Sequence, residues 1–463
     1  MTTDFIKRIP TLGVYTASAI VIANMIGSGV FGSIGHQVNP AEGGIQSVFP
    51  ILCLWIVGGI ISFCGALSYA ELGTALPRNG GEYNFLREIY HPILGFVSGW
   101  VSLVAGFAAP IAGVSLLFGD YFTKLLINVS EVTRAEYSIR SAVAIIILVS
   151  IIHTVNTALG SGFQRVMTFL KVAVIILFIL SGLFGIFNNP SFSISVLPKT
   201  GDFSYIFSGG FASSLVFVMY AYSGWNASSY LSAEIKDPGK NLPKSILIGT
   251  LVVTLLYLLL NYVFLYTVPM SEMTHWVDGK LVPYNEIGHL SATKIFGVNG
   301  GIIMSGVIAF LLISTISSMI FAGPRVLQTM GEDTKMLNFL SLKSISNIPY
   351  VALWFQSIIA IAFVVTGKFE TIINYVGFTL QLITFLAVLG VIILRIQKPN
   401  LARPFKTWGY PIVPIVFLLL TMWALVFFFL RDPTVALVGI GTLVVGALIY
   451  YLDIKFFKEE VNL

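Results

Sequence analysis

Charged residues divide this chain of 463 residues into long apolar stretches. A helix that crosses a bilayer needs roughly 20 mostly apolar residues. Twelve windows of that length contain no Asp, Glu, Lys or Arg, at 9–41, 43–70, 89–119, 141–164, 172–198, 203–233, 245–271, 295–324, 344–367, 371–394, 407–430 and 433–452. The pattern predicts an all-α membrane protein with twelve transmembrane helices, called spans 1 to 12 below. We expect a single transmembrane domain over 1–463.

Composition and charge agree with a membrane protein. The chain is 56% hydrophobic and 10% charged, whereas soluble domains are about 25% charged. Lys and Arg concentrate in cytoplasmic loops. With the N-terminus inside, 17 of the 26 basic residues lie on that side and Lys171 lies within span 5. The eight on the other side are Lys124, Arg134, Arg140, Lys199, Lys280, Lys294, Lys368 and Arg431.

This bias predicts a multi-pass protein of the plasma membrane with both termini cytoplasmic. It also accounts for the net charge of +5, so we expect the lipid bilayer as a partner and no nucleic acid. The sequence leaves open whether an accessory subunit is present.

Catalytic chemistry is sparse in the spans. An embedded enzyme needs clustered nucleophiles, carboxylates or metal ligands, but the five histidines are scattered and no Gly-rich phosphate loop is present. His153, in span 4, is interpreted as a packing or hydrogen-bonding residue, with a proton relay as the alternative. We therefore expect no enzyme activity, no cofactor and no metal site. A channel would need charged rings or a carbonyl filter, and neither pattern repeats here.

Two spans contain weak points in corresponding positions. Gly27, Ser28 and Gly29 interrupt span 1, and Ser223, Gly224 and Asn226 interrupt span 6. Paired interruptions of this kind are the best sequence indication of a transporter site. Because the breaks are five spans apart, they predict two inverted repeats, at about 9–198 and 203–394, followed by helices 11 and 12 at about 407–452.

The chemistry of two such breaks suits an α-amino acid. Unwinding frees amide N–H groups at the start of the following half-helix, and these favour a carboxylate. Carbonyls freed at the end of the preceding half-helix favour an ammonium group. The alternative is that each glycine cluster only packs or kinks its helix.

Several motifs in order resemble the amino acid–polyamine–organocation (APC) transporter family, and most of all its L-type amino acid transporter branch. The motifs lie at the breaks of spans 1 and 6 and at or after the ends of spans 2, 6 and 10. They are 27–31 (GSGVF), 70–73 (AELG) with 77–83 (PRNGGEY), 220–226 (YAYSGWN) with 234–243 (EIKDPGKNLP), and Arg395 with 398–399 (KP) and 403–406 (RPFK). The resemblance covers nearly the whole chain.

The resemblance implies a LeuT-type fold of two inverted five-helix repeats with discontinuous helices 1 and 6, plus two C-terminal helices, and transport by alternating access. It places the substrate carboxylate on the amides of Ser28 and Gly29 and the amine on carbonyls near Met25 and 220–223, with Asn226 assisting and Tyr220 as a lid. The implied substrate-binding residues are Met25, Ile26, Gly27, Ser28, Gly29, Tyr220, Ala221, Tyr222, Ser223 and Asn226.

Lys171 is the basic residue placed within a span. If the helix extends back to Arg165, Lys171 lies six residues, about 9 Å, inside it. Intramembrane charges are costly and functional by default; the alternative is a lysine that snorkels to the interface. Residues 168–171 (TFLK) resemble the span 5 lysine of the family. The resemblance implies a coupling residue whose ammonium replaces sodium and braces span 5 against spans 1 and 8, or one that exchanges a proton.

These observations predict a secondary transporter that carries neutral L-amino acids across the plasma membrane. We expect sodium-independent exchange or proton-coupled uptake. No acidic residue is predicted in the substrate cavity, which favours neutral amino acids over cationic amino acids and polyamines. A polyamine or cationic amino acid transporter is the alternative. A channel or a membrane enzyme fits the sequence less well.

Overall fold

The structure of the protein is a computed structural model that describes residues 12–40, 44–126, 130–155, 158–188, 194–277, 279–344 and 348–457. The chain ends at 1–11 and 458–463, on which the prediction of cytoplasmic termini bears, lie outside the described residues. The first and last residues of window 9–41 lie outside them too.

Helices are present in all twelve predicted windows. Span 1 comprises helices Val14–Met25, Ser28–Gly32 and Ile34–Val38, and span 6 comprises helix Gly209–Tyr222 and the 3-10 helix Ala227–Glu234. The remaining spans are Val48–Ala75, Pro92–Thr123, Glu131–Val155, Ala158–Asn188, Pro238–Thr267, Ile287–Asp333, Tyr350–Thr366, Phe369–Gln397, Ile412–Arg431 and Pro433–Phe457. Within the described residues, ten helical segments are long and apolar enough to cross a membrane. The prediction of an all-α membrane protein with interrupted spans 1 and 6 is confirmed.

Two long spans depart from a regular α-helix. Span 3 consists of α-helices Pro92–Val101 and Ala109–Thr123 joined by the π-helix Ser102–Ala108. Span 8 is far longer than its window, because Ile287–Asp333 continues at both ends of the apolar stretch and bends at Gly297, whose φ is +78°.

Short elements connect the spans. They are helices Glu82–Ile89 and Asp202–Ile206, 3-10 helices Met270–Glu272 and Asn338–Ser341, and an antiparallel hairpin of strands Thr274–Val277 and Lys280–Pro283. The hairpin pairs Thr274 with Pro283 and Val277 with Lys280. We call the end of the molecule with helix Glu82–Ile89 the inner end, which is the end predicted to be cytoplasmic, and the end with the hairpin the outer end.

Small residues let spans 2, 6 and 7 pack closely at the centre. A Cβ on Gly58 would lie 2.3 Å from Cγ1 of Val218, and one on Gly59 would lie 2.6 Å from Cγ2 of Thr254. Both cysteines of span 2, Cys53 and Cys64, are free. Span 2 therefore packs closely against both span 6 and span 7.

Candidate functional site

The break in span 1 leaves a short non-helical link. Helix Val14–Met25 ends at Ile26, which is extended at ψ 93°, and a new helix begins at Ser28. A Cβ on Gly27 would lie 3.2 Å from Cγ2 of Thr315 in span 8. The glycine therefore allows span 8 to lie close against the unwound backbone.

The break in span 6 lies beside the break in span 1. Helix Gly209–Tyr222 ends at Ser223, which is extended, and Gly224 follows with φ +96°. Only glycine adopts that conformation without strain. A Cβ on Gly224 would also lie 2.9 Å from the carbonyl carbon of Asn24, so the backbones of the two broken helices meet here.

Direct contacts join the two predicted breaks. The Ser28 and Tyr220 hydroxyls share a hydrogen bond of 2.6 Å, and a Cβ on Gly29 would lie 2.3 Å from Cα of Ala221. Tyr220 is 5% exposed, and its hydroxyl oxygen would lie 3.4 Å from a Cβ on Gly113 of span 3. The structure thus brings Ser28, Gly29, Tyr220 and Ala221 together.

Tyr257 of span 7 contacts both breaks, and the sequence did not indicate it. Its hydroxyl lies 2.6 Å from the carbonyl oxygen of Met25 and 3.0 Å from that of Ala221. Its ring packs edge-on against Trp55. A carbonyl oxygen has two lone pairs, so both carbonyls keep one position for a further donor.

Lys171 is buried inside the protein. It is 1% exposed, and its Nζ donates to the carbonyl of Ile26 at 2.9 Å and to Oγ1 of Thr315 at 2.7 Å. The Thr315 hydroxyl donates to the same carbonyl at 2.8 Å. The snorkelling alternative is therefore wrong. The ammonium joins span 5 to spans 1 and 8, through Thr315 of span 8.

Ile26 and Tyr222 have other partners than a ligand between the breaks. The Ile26 carbonyl already accepts two hydrogen bonds, from Lys171 and Thr315. The Tyr222 hydroxyl donates to the Trp55 carbonyl of span 2 at 3.1 Å. The Ile26 carbonyl and the Tyr222 hydroxyl therefore support the shape of the breaks, and the substrate-binding role of these two residues stays a prediction.

A cavity of about 50 Å³ lies on the inner side of the breaks, between spans 3, 6, 8 and 10. We call it the inner cavity. Asn24, Ser223 and Asn226 line it at the breaks, and residues from the neighbouring spans complete its wall, among them Ser102, Phe107, Met319, Ala322, Gln381 and Thr384.

Glu82 also lines the inner cavity, so the expectation of a cavity without an acidic residue is wrong. Its Oε1 accepts hydrogen bonds from the Tyr69 hydroxyl at 2.9 Å and from the Asn226 amide. The carboxyl is in the GGEY motif, which precedes span 3 in the sequence. It reaches the cavity because Gly80 and Gly81 turn the chain with φ of +110° and +53°.

The outer side of the breaks is closely packed. A Cβ on Gly32 would lie 2.7 Å from the Phe369 ring of span 10. His36 stacks on Phe217 of span 6 with ring centroids 5.9 Å apart, and it hydrogen-bonds Asn285 at 3.1 Å. The breaks are therefore closely packed on their outer side, whereas the inner cavity lies on their inner side.

Comparison with known proteins supports a transporter. A family model described as "Amino acid permease" matches residues 12–452. Human "Large neutral amino acids transporter small subunit 2" is 29% identical over 98% of this chain and 83% of its own length. Mouse "b(0,+)-type amino acid transporter 1" is 27% identical over 96% of this chain and 88% of its own length.

A solved structure shares the architecture. The crystal structure of a mutant manganese transporter from Eremococcus coleocola matches with a TM-score of 0.60 at 13% identity, over 96% of this chain and 95% of that one. Broken spans 1 and 6 and two helices after span 10 are features of the LeuT-type fold. With the family model matched along nearly its full length, the chain belongs to the amino acid permease family of the APC transporters.

Proposed function

We propose that this protein is a secondary transporter of neutral L-amino acids that works by alternating access across the plasma membrane. The observation that carries the proposal is the direct contact between the two breaks, at Ser28 with Tyr220 and Gly29 with Ala221. Membership of a permease family and the printed name of the human relative support an amino acid as the substrate.

The backbone at the breaks offers complementary groups to an α-amino acid. We propose that the amides of Ser28 and Gly29 hold the substrate carboxylate, because the first N–H groups of a helix have no intrahelical partner. The carbonyls of Met25 and Ala221 share the single Tyr257 hydroxyl as a donor and retain capacity for the substrate ammonium. Ser223 and Asn226 then face the substrate side chain in the inner cavity.

Lys171 supports transport without sodium. Its ammonium occupies the space between spans 5, 1 and 8 and donates to Ile26 and Thr315. A fixed cation here holds the span 1 carbonyl that a sodium ion would otherwise need. We propose that it is the coupling residue of the transporter.

The repeat boundaries and the orientation in the membrane are part of the same proposal. We infer that the repeats cover about 9–198 and 203–394, with helices 11 and 12 (407–452) outside them. The inner end, with its excess of Lys and Arg, would face the cytoplasm.

A polyamine or cationic amino acid transporter is the second candidate. It is favoured by Glu82, which places a carboxyl in the wall of the inner cavity. A cationic side chain would need such a partner, since a buried charge is costly unless it is paired.

Uptake by the purified protein in proteoliposomes tests the function. We expect saturable uptake of labelled neutral amino acids, stimulation by internal substrate, and the same rate when choline replaces sodium. Methyl esters and des-amino analogues should fail to compete, because each lacks one of the two groups that the breaks recognise. Equal competition by a methyl ester would contradict the proposed carboxylate site, and flux that does not saturate would indicate a channel.

Competition by cationic amino acids separates the two candidates. Lysine, arginine and putrescine should compete weakly with a neutral substrate. Stronger competition by these compounds than by leucine or alanine would favour the second candidate.

A further inference from the structure

Glu82 is a buried carboxyl that the amino acid binding proposed above does not use. It is 2% exposed at the start of helix Glu82–Ile89. Tyr69 and Asn226 donate to its Oε1, whereas its other oxygen, Oε2, is buried without a hydrogen-bond partner. A buried oxygen left unpaired costs about 1–3 kcal/mol, and more when the group is charged.

The groups that face Glu82 carry no charge. Its titratable neighbours are Tyr69 of span 2 and Tyr230, which follows the span 6 break. The other spans around the inner cavity contribute neutral residues, Ser102 and Phe107 from span 3, Met319 and Ala322 from span 8, and Gln381 and Thr384 from span 10. Burial raises the pKa of the Glu82 carboxyl, and the hydrogen bonds from its neighbours oppose that rise only in part.

We propose that Glu82 is a proton-binding site of this transporter, protonated while the inner cavity is closed around it and deprotonated when the cavity opens to water. The inference rests on the proposed function and assigns a proton site, which the proposed function left open. A carboxylate is poorly solvated in the closed state and hydrated in the open one. Opening of the cavity and release of the proton are therefore linked. The proton shifts the equilibrium between the closed and open cavity because it binds Glu82 more tightly in the closed state.

The surroundings of Glu82 suit a proton and provide no further metal ligands among the described residues. Aromatic rings crowd the carboxyl: Tyr69 lies edge-on to Trp225 with centroids 4.7 Å apart, and Tyr230 lies edge-on to Phe107 at 5.6 Å. Among the described residues, no group of three His, Cys, Asp or Glu side chains could hold a metal ion.

Labelling of a cysteine in the cavity measures its opening without any substrate. Ser102, 3% exposed, is replaced by Cys in a full-length protein in nanodiscs whose two native cysteines are changed to Ala. The maleimide labelling rate is compared between this protein and the same protein with Glu82→Gln, from about pH 4 to 9. The ratio of the two rates cancels the pH dependence of the thiol itself.

We take the labelling rate of the protein with Glu82 divided by that of the protein with Glu82→Gln. This ratio should be near one at low pH, where both side chains are neutral. Above the pKa of Glu82 it should rise by up to about tenfold per pH unit, because only the carboxylate favours the open cavity. Glu88 lies on the same helix and is exposed, so Glu88→Gln is the matched control and should leave the curve unchanged. Curves that coincide with and without Glu82→Gln at every pH would overturn the proposal.

Infrared spectroscopy tests protonation directly. The protein should show a carboxylic acid C=O band that disappears in Glu82→Gln and remains in Glu88→Gln. If Glu82→Gln fails to fold, Tyr69→Phe replaces it. Loss of that hydroxyl donor destabilises the carboxylate, so the labelling curve and the infrared band should shift to higher pH by about one unit. An unshifted curve or a missing band contradicts the proposal.

Two further outcomes are distinguishable. Protection of the Ser102→Cys thiol by lysine or putrescine that depends on Glu82 would make it an ammonium site and overturn the proton assignment. If the wild-type protein transports no amino acid, the proposed function fails, while the labelling and infrared results still decide whether Glu82 binds a proton.

Discussion

At the scale of single residues, Gly29 is the point where the second half of span 1 meets the backbone of span 6. We predict that Gly29→Ala lowers exchange by at least about tenfold, because its Cβ would lie 2.3 Å from Cα of Ala221 and overpacking at such a contact costs about 1–3 kcal/mol. The measurement is the initial exchange rate per amount of monodisperse protein in proteoliposomes.

A second glycine provides the control. Gly441 of span 12 has no heavy atom within 4 Å of an added Cβ, and Ala is favoured over Gly in a helix by roughly 1 kcal/mol. Gly441→Ala should therefore transport normally. A Gly29→Ala protein as active as Gly441→Ala would show that the breaks separate further than the structure indicates.

We also predict that the Lys171 ammonium is required for exchange. Lys171→Met keeps an unbranched side chain of similar length and removes the charge that donates to Ile26 and Thr315. We expect at least a tenfold loss of exchange, which corresponds to about 1.4 kcal/mol, with a monodisperse protein.

Lys199 is exposed between spans 5 and 6, and Lys199→Met is the control that should behave as the wild type. Equal exchange rates for the two variants would show that Lys171 has no part in the mechanism. Wild-type uptake that stops when choline replaces sodium would show the same.

Sequence identified Lys171 and the breaks but missed their partners. Lys171 is detectable because a charge interrupts an apolar helix, and Gly27 because glycine weakens one. Tyr257 and Thr315 lie in ordinary apolar or small-residue runs, so nothing local distinguishes them; their roles arise from packing between distant spans. Glu82 was visible as part of a motif, but only the turn at Gly80 and Gly81 directs it into the cavity.

At the scale of helices, Tyr257 holds the ends of two half-helices through one side chain. We predict that Tyr257→Phe lowers exchange by about tenfold, because the carbonyls of Met25 and Ala221 lose a shared donor, and a lost buried hydrogen bond costs about 1–3 kcal/mol. The ring contact with Trp55 is retained, so thermal stability should change less than activity.

Tyr262 lies on the same helix and contacts only Tyr266 among the described aromatic rings. Tyr262→Phe is therefore the matched control and should leave both exchange and the unfolding temperature unchanged. Rates that fall equally in both variants would indicate a general effect on span 7.

The pattern of charge-free windows predicted the existence and order of the spans better than their shapes. A charge-free window shows only where the chain is apolar. A straight helix, a bent helix and a π-helix in a membrane are all equally apolar, so the window does not distinguish them. The π-helix Ser102–Ala108 and the extension of span 8 to Asp333 depend on side-chain packing and on polar residues beyond the apolar core. The hairpin of Thr274–Val277 and Lys280–Pro283 lies in a loop that hydrophobicity does not describe.

At the scale of the whole molecule, Glu71 joins span 2 to the end of span 10 and to the segment between spans 10 and 11. It is 1% exposed and accepts from Arg395 at 2.8 and 2.7 Å and from the Thr407 amide at 2.7 Å. We predict that Glu71→Gln lowers the free energy of unfolding by about 3 kcal/mol, because removing one member of a buried ion pair leaves the other unpaired. Thermal unfolding in detergent measures the change.

The exposed pair of Arg140 and Glu136 on span 4 provides the comparison. Glu136→Gln should change stability by about half a kcal/mol or less, because solvent-exposed ion pairs contribute little. Similar losses in both variants would mean that the contacts of Glu71 with Arg395 and Thr407 add little to stability.

The Tyr257 hydroxyl faces two carbonyls with a single proton. Met25 and Ala221 lie 2.6 and 3.0 Å from the same oxygen, so at any instant one of them is without this donor. Rotation about one C–O bond exchanges the two arrangements, and no helix has to move for it. The Tyr257 hydroxyl therefore has two possible acceptors, and a group that donates to one carbonyl favours the arrangement in which the hydroxyl donates to the other.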